Sequence, residues 1–193
     1  MANETPTTPT TTAIKKKKKW YTIVAPKEMN NVVIGETLSA DPALLQGRGI
    51  NANLMTLTDD MKKQNLVARF KILTVKEGVA ETELVAYYIT PAHVRRLAKR
   101  ARDKVEDSFK CQTKDGKTIA IKPFILIKTK LQRTLLTALR MTARDVLAKE
   151  AANETFLDLT IRSMDGELQK QLKAALKKVY PVMMAEIRAI ELA

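Results

Sequence analysis

Two long alternating runs, LVARFKILTV and VAETELVAYYI, lie either side of Glu77-Gly78 and constrain the fold more than any other feature of the chain. Side chains two apart share one face of a strand, so Leu66, Ala68, Phe70 and Ile72 define a buried face. Residues 79–89 are β-branched and aromatic and pair back on residues 66–75 through the Glu77-Gly78 turn. Tyr21 with Ile23, and Ile50 with Ala52 and Leu54, repeat the same spacing. Residues 20–89 therefore read as an antiparallel sheet.

At Thr90-Pro91 the period changes. Thr suits a helix cap and Pro the first helical position, and Val94, Leu97, Ala98, Ala101 and Val105 then recur at helical spacing, which predicts about four turns. In SFKCQTKDGKTIAIK, Phe109, Cys111 and Thr113 alternate before Asp115-Gly116 and Ile119 and Ile121 alternate after it, the signature of a second hairpin. Residues 130–152 form an amphipathic helix, with Leu131, Leu135, Ala138, Leu139, Val146 and Leu147 opposite Lys130, Arg133, Arg140 and Arg144. Asn153 or Thr155 can cap a short helix over 156–164 that Asp165-Gly166 ends. Leu168, Leu172, Ala175, Leu176 and Val179 mark a last helix stopped by Pro181, and residues 182–190 can add a final strand. With 193 residues, 45% of them apolar, residues 20–193 suffice for one domain with a real core. Residues 1–19, a Thr/Pro-rich stretch and then a lysine tract, have almost nothing to bury and form a disordered tail.

Charge narrows the function. The chain carries 34 Lys and Arg against 21 Asp and Glu, a net +13. Residues 1–26 hold five cations against one acid and residues 95–144 hold fifteen against four, while the remainder is close to neutral. An excess clustered in this way is the electrostatic footprint of a polyanionic partner. On the predicted helix, Arg95, Arg96, Lys99, Arg100, Arg102 and Lys104 occupy roughly 160° of arc opposite the apolar side, with no acid before Asp103. The second hairpin adds Lys110, Lys114, Lys117 and Lys122, and the segment after it adds Lys128, Lys130 and Arg133.

Lys15, Lys16, Lys17, Lys18 and Lys19 run directly into Trp20-Tyr21. Alone, such a tract also suits an anionic membrane or an import receptor, but residue 2 is Ala rather than an acylation Gly and no amphipathic anchor accompanies it, so no membrane partner is expected. Trp20 and Tyr21 either stack on exposed bases or fill the edge of the core where the first strand begins. There is no run of eighteen apolar residues and no secretory segment, which points to a soluble cytoplasmic protein. Cys111 and His93 are each the single residue of their type, Asp59-Asp60 reads as a turn, and Gly35, Gly47 and Gly49 are too scattered to cradle a phosphate. No nucleophile, base and orienter can be assembled, so no enzyme, metal or cofactor is expected.

Six stretches carry a family likeness: WYTIVAPKE (20–28), IGET (34–37), DPALLQGR (41–48), HVRRLAKR (93–100), TKDGKTIAIKP (113–123) and KKVYPVMMAEIR (177–188). In order and spacing they resemble small-subunit ribosomal proteins of the e-type S-one family, also called the S-three-a type, which archaea and eukaryotes share and bacteria lack. The resemblance runs over roughly residues 15–190. It implies an α+β fold, an antiparallel β-barrel-like sheet flanked by about three to four helices behind a basic disordered extension. It also implies a place on the small-subunit platform near the messenger exit, contacts with rRNA near its 3′ end and with neighbouring platform proteins, no homo-oligomer and no catalysis. Arg48 of DPALLQGR joins the candidate rRNA contacts on this resemblance, and the short chain looks archaeal. A free RNA-binding regulator outside the ribosome is the alternative.

The chain departs from the family pattern at three places. Thr90-Pro91-Ala92-His93 stands where the family usually has Thr-Arg-Asp-Tyr, Met183-Met184 replaces a basic pair after Tyr-Pro, and Thr58-Asp59-Asp60 replaces a Thr-Gly-Asp turn. The first two remove contacts that family members make through charged side chains, and the methionines suggest a covered or buried surface.

Overall fold

The computed structural model describes residues 17–98 and 102–193. In chain order its elements are β1 (Lys19–Val24), β2 (Val33–Ser39), β3 (Gly49–Asn53), α1 (Leu54–Thr58), β4 (Leu66–Lys76), β5 (Val79–Ile89), α2 (Pro91–Leu97) and β6 (Lys104–Glu106). They are followed by β7 (Phe109–Gln112), β8 (Thr118–Leu126), α3 (Arg133–Asn153), α4 (Phe156–Asp165), α5 (Glu167–Lys177) and β9 (Met184–Leu192). The strands form one nine-stranded sheet.

The long hairpin is its hub. β4 pairs β5 antiparallel from Leu66↔Ile89 to Lys76↔Val79, and the turn between them holds Glu77 and Gly78 both at positive φ, 48° and 87°, the twist that fits right-handed strands. The other edge of β5 is divided. Its first residues take β1 in parallel, Thr22↔Val79 to Val24↔Glu81, and its last take β9 antiparallel, Ala86↔Glu191 to Tyr88↔Ala189. β8 pairs the far edge of β9 and carries β7 and β6 on its own outer edge. β2 extends β1, and β3 extends β4. The segment after β2 folds back onto β4, with the Gly47 N–H donating to Ile72 C=O at 2.9 Å and the Ile72 N–H to Arg48 C=O at 3.0 Å. This curl encloses Tyr21, Ile23, Leu45, Ile72 and Ala80 in a small core and makes the first half of the sheet barrel-like.

Helices cover the second half. Leu139, Ala143 and Leu147 of α3, Phe156 and Leu159 of α4, and Leu168, Leu172 and Leu176 of α5 bury against Ile119, Ile121, Ile125, Ile187 and Ile190 of the sheet. Thr155 caps α4 reciprocally: the Asp158 N–H donates to its Oγ1 at 3.2 Å and its hydroxyl donates to Asp158 Oδ2 at 2.7 Å. Gly166, at φ 78°, ends α4 and turns the chain into α5. On the opposite face α2 docks alone, Val94 packing with Ile89, Phe124 and Leu126.

Three local expectations are corrected. The helix after Thr90 has seven residues, not about four turns. Val105, expected on its apolar face, is 3% exposed in β6, where it pairs with Ile125 and joins the main core. Strand pairing across the sheet outweighs local helical spacing at that point. Leu54 lies in α1 rather than in a strand, because Asn53 Oδ1 accepts the Met55 N–H at 3.0 Å and starts a helix there. β2, absent from the sequence-based strands, is present.

Topology now fixes direction. β5 and β8 both run antiparallel to β9, so they point the same way, and their C-terminal ends lie at one end of the sheet.

Candidate nucleic-acid interface

That end collects cations. Directly after β8 the chain enters the loop 127–132, which one acid holds in place. The Ile127 N–H donates to Asp103 C=O at 2.9 Å, and the Leu131 N–H donates to Asp103 Oδ2 at 2.8 Å. The Thr129 hydroxyl meets the Tyr180 hydroxyl at 3.1 Å. With its backbone anchored and Leu131 packed on the core, the loop presents Lys128 and Lys130 to solvent, followed by exposed Arg133. α3 begins at Arg133 with no side-chain cap and no acid in its first turn, so the positive end of its dipole adds to the same field. Arg102 is half-buried beside Asp103 in sequence.

α2 supplies Arg95 and Arg96. Val94, Leu97 and Ala98 fasten it over Phe124 and Leu126 at the same end of β8. Arg95 is exposed; Arg96 Nη2 donates to Asn65 Oδ1 at 3.1 Å. Burial first, and Arg96 second, lower the pKa of His93. Among the described residues Arg95, Arg96, Arg102, Lys128, Lys130 and Arg133 form no ion pair, which leaves their charge available to a partner.

Several predicted cations fall elsewhere. Arg102 and Lys104 are not on a helix: Arg102 is in a bend and Lys104 opens β6, its Nζ 3.0 Å from Glu106. Lys99 and Arg100, like Lys15 and Lys16, lie outside the described residues. Lys117 pairs with Glu83 and Lys122 with Glu191, each at 2.9 Å. Lys117 also sits before the start of β8, and that strand alone separates its ends by about 26 Å at 3.3 Å per residue. Arg48 donates to the Thr37 hydroxyl near the barrel-like half. Lys17, Lys18 and Lys19 are exposed at the start of β1, whose parallel register places them beyond Val79, at the other end of β5 from α2. The two basic segments of the sequence thus stand as two centres, on the order of 40 Å apart along β5.

The lysine tract ends on a divided pair. Tyr21 is 7% exposed and belongs to the small core, whereas Trp20 is 67% exposed. Sequence reasoning missed Lys177 and Lys178, exposed at the end of α5, which the Tyr180–Thr129 contact carries to the loop 127–132. No local pattern signals this, since the neighbours are about fifty residues apart in sequence. Met184 is half-buried against the cluster under α2, while Met183 is 38% exposed and fixed through its backbone, its N–H on Leu126 C=O and its C=O on Lys173. Asp59, at φ 52°, forms the turn expected of Asp59-Asp60. Cys111 is half-buried against the core, and burial raises its thiol pKa. Among the described residues no group of His, Cys, Asp and Glu could hold a metal ion, and no helix is long and apolar enough to cross a membrane.

A mixed sheet-and-helix body with unpaired cations gathered at one end and a lysine tract at the other is the build of a basic ribonucleoprotein component. Comparison with known proteins gives the family. The chain belongs to the Ribosomal S3Ae family, which it matches over residues 11–193. It is similar to small ribosomal subunit protein eS1 of Nanoarchaeum equitans (strain Kin4-M), 32% identical over 173 residues, covering 90% of this chain and 87% of that one. It is likewise similar to small ribosomal subunit protein eS1 of Saccharolobus islandicus (strain L.S.2.15 / Lassen #1), 33% identical over 172 residues, covering 89% and 83%. These archaeal relatives agree with the archaeal type read from the sequence, and a ribosomal family accords with a structural protein rather than an enzyme.

Proposed function

We propose that this chain is a structural, rRNA-binding constituent of the small ribosomal subunit in the cytoplasm, seated on the platform near the messenger exit and the 3′ end of the small-subunit rRNA, beside other platform proteins. Residues 20–193 act as one rRNA-binding domain and residues 1–19 as a basic tail that enters the RNA. The observation that carries this reading is the end of the sheet where, among the described residues, Arg95, Arg96, Arg102, Lys128, Lys130 and Arg133 stand without ion pairs, Lys128 and Lys130 on a loop that Asp103 fixes. Lysines and arginines there neutralise phosphates and release counterions, and the arginines can fork onto a phosphate with two hydrogen bonds. Lys99 and Arg100 of HVRRLAKR contribute by their place in the sequence next to Arg95 and Arg96. Lys104, Lys117 and Lys122, already paired, are secondary contacts, and Arg48 is carried by the family likeness.

The test is incorporation. Wild-type chain and the double change Lys128→Glu with Arg133→Glu are offered together to assembling small subunits, and the particles are sedimented at moderately high salt. Wild-type chain in the small-subunit peak with the double variant depleted supports the reading. Equal incorporation would remove this end from the rRNA contact, and wild-type chain at the top of the gradient, bound to other RNA, would favour the free regulator instead.

A further inference from the structure

Trp20 is the single tryptophan of the chain, and the fold leaves 67% of it exposed. This is not a loose end of the chain. Tyr21 and Ile23, its alternating neighbours, are buried at 7% and 2%, and β1 is held on both edges, by β2 from Lys19↔Ser39 onward and by β5 from Thr22↔Val79. The strand therefore presents the indole on a fixed backbone, directed away from the small core. Its cross-strand partner is Leu38, 38% exposed, so the two side chains share the outer face and form an apolar ledge. Lys17, Lys18 and Lys19 are exposed immediately before it, and the nearest carboxylate in the register, Glu36, stands two pairs further along on the same face, opposite Thr22.

An occupant must offer a flat apolar face to the ledge and negative charge to the lysines. An acidic protein surface meets the lysines but has to bring an aromatic side chain separately, and a lipid surface has no ring to stack. An unpaired nucleobase on its phosphodiester chain has both. Paired RNA does not, because its base faces are hidden in the helix stack. We infer that Trp20, backed by Leu38 and flanked by Lys17, Lys18 and Lys19, is a stacking platform for an unpaired base, so that the chain takes a single-stranded RNA segment at the end of β5 remote from Arg95 and Lys128. The inference rests on the rRNA-binding reading and sharpens it: one end of the sheet grips folded RNA through phosphates, and the other takes a strand that is not paired.

The lone tryptophan provides its own reporter. The full chain is titrated with a labelled single-stranded RNA of about eight nucleotides, within the site size of such grooves, and separately with a blunt RNA duplex of equal charge. Binding is read by anisotropy and Trp20 emission is followed in parallel. Saturable quenching by the single strand is expected, with no quenching by the duplex. Trp20→Leu, which leaves the buried residues of β1 untouched, should weaken single-strand binding about 5- to 100-fold and leave duplex binding unchanged, while Trp20→Phe retains most of the affinity. Single-strand binding without quenching, or unchanged by Trp20→Leu, would overturn the platform and leave the rRNA reading standing. Failure of both RNAs to bind would overturn that reading and the platform with it.

Discussion

Asp103 and Leu131 are joined by a 2.8 Å hydrogen bond from the backbone N–H of Leu131 to the carboxylate of Asp103. In the sequence Asp103 is the first acid to interrupt a run of arginines and lysines, and simple electrostatics would count it as a defect in a basic surface. The structure gives it another role. It bridges the segment leaving α2 to the loop between β8 and α3, and so holds Lys128 and Lys130 in position.

Asp103→Ala therefore separates position from charge. Charge alone predicts tighter RNA binding when an acid leaves a cationic surface; the bracket predicts weaker binding. We expect a stability loss of about 1–3 kcal/mol from the lost charge-assisted bond, faster amide exchange at Leu131, and lower RNA affinity. Asp103→Asn keeps an acceptor and should recover most of both. Tighter binding by the alanine variant would show the loop needs no such anchor.

Unpaired and paired cations should differ in salt dependence. Lys128→Gln and Lys130→Gln are each expected to reduce the log–log slope of RNA affinity against salt by about 0.7–0.9. Lys122→Gln, whose charge already faces Glu191 at 2.9 Å, should change it less. Equal slopes for all three in a fluorescence-anisotropy salt series would erase the distinction.

Gly166→Ala tests the joint between α4 and α5. A Cβ there meets nothing within 4 Å, so the cost is conformational, set by φ 78°. A loss of about 1 kcal/mol, or a melting temperature about 2–4 °C lower, is expected by thermal unfolding, with helix content in the far-ultraviolet unchanged.

Glu186 gives the chain a pH signature. Burial raises its carboxyl pKa, and Lys173 only partly opposes this. A carboxyl whose folded pKa exceeds its unfolded one destabilises the fold while ionised, and the penalty fades as pH falls through the raised folded value. Glu186→Gln should accordingly melt higher than wild type at neutral pH, with the gap closing in mildly acidic buffer. A gap that persists or widens on acidification contradicts the assignment.

Local chemistry made much of this fold readable. The β4–β5 and β7–β8 hairpins followed from alternation around Glu77-Gly78 and Asp115-Gly116, and α4 from the Thr155 cap and the Gly166 stop. What escaped was non-local. Val105 continues the helical spacing of Val94 and Leu97, yet a three-residue strand against β8 claims it, and no period is visible in so short a run. The exposure of Trp20 beside buried Tyr21 depends on which way β1 faces, which its neighbours β2 and β5 decide. The candidate interface was legible as a composition, a basic stretch at residues 95–144, but not as a surface. Its division into two ends follows from strand direction, and its separation of free from neutralised lysines follows from Glu83, Glu106 and Glu191, which lie up to about seventy residues away in sequence.

β9 is the last strand in chain order, yet it lies between β5 and β8 and is the ladder that unites the hub hairpin with the helix-covered half. During synthesis, residues 19–89 can form their curl early, and the hairpin of β7 and β8 can form soon after, but the two halves have no shared strand until residues 184–192 have left the exit tunnel. The basic end that spans both halves, α2 on one side and the loop 127–132 on the other, is fastened only once β9 has emerged. A nascent chain thus cannot display its full grip on RNA before that strand is free to pair.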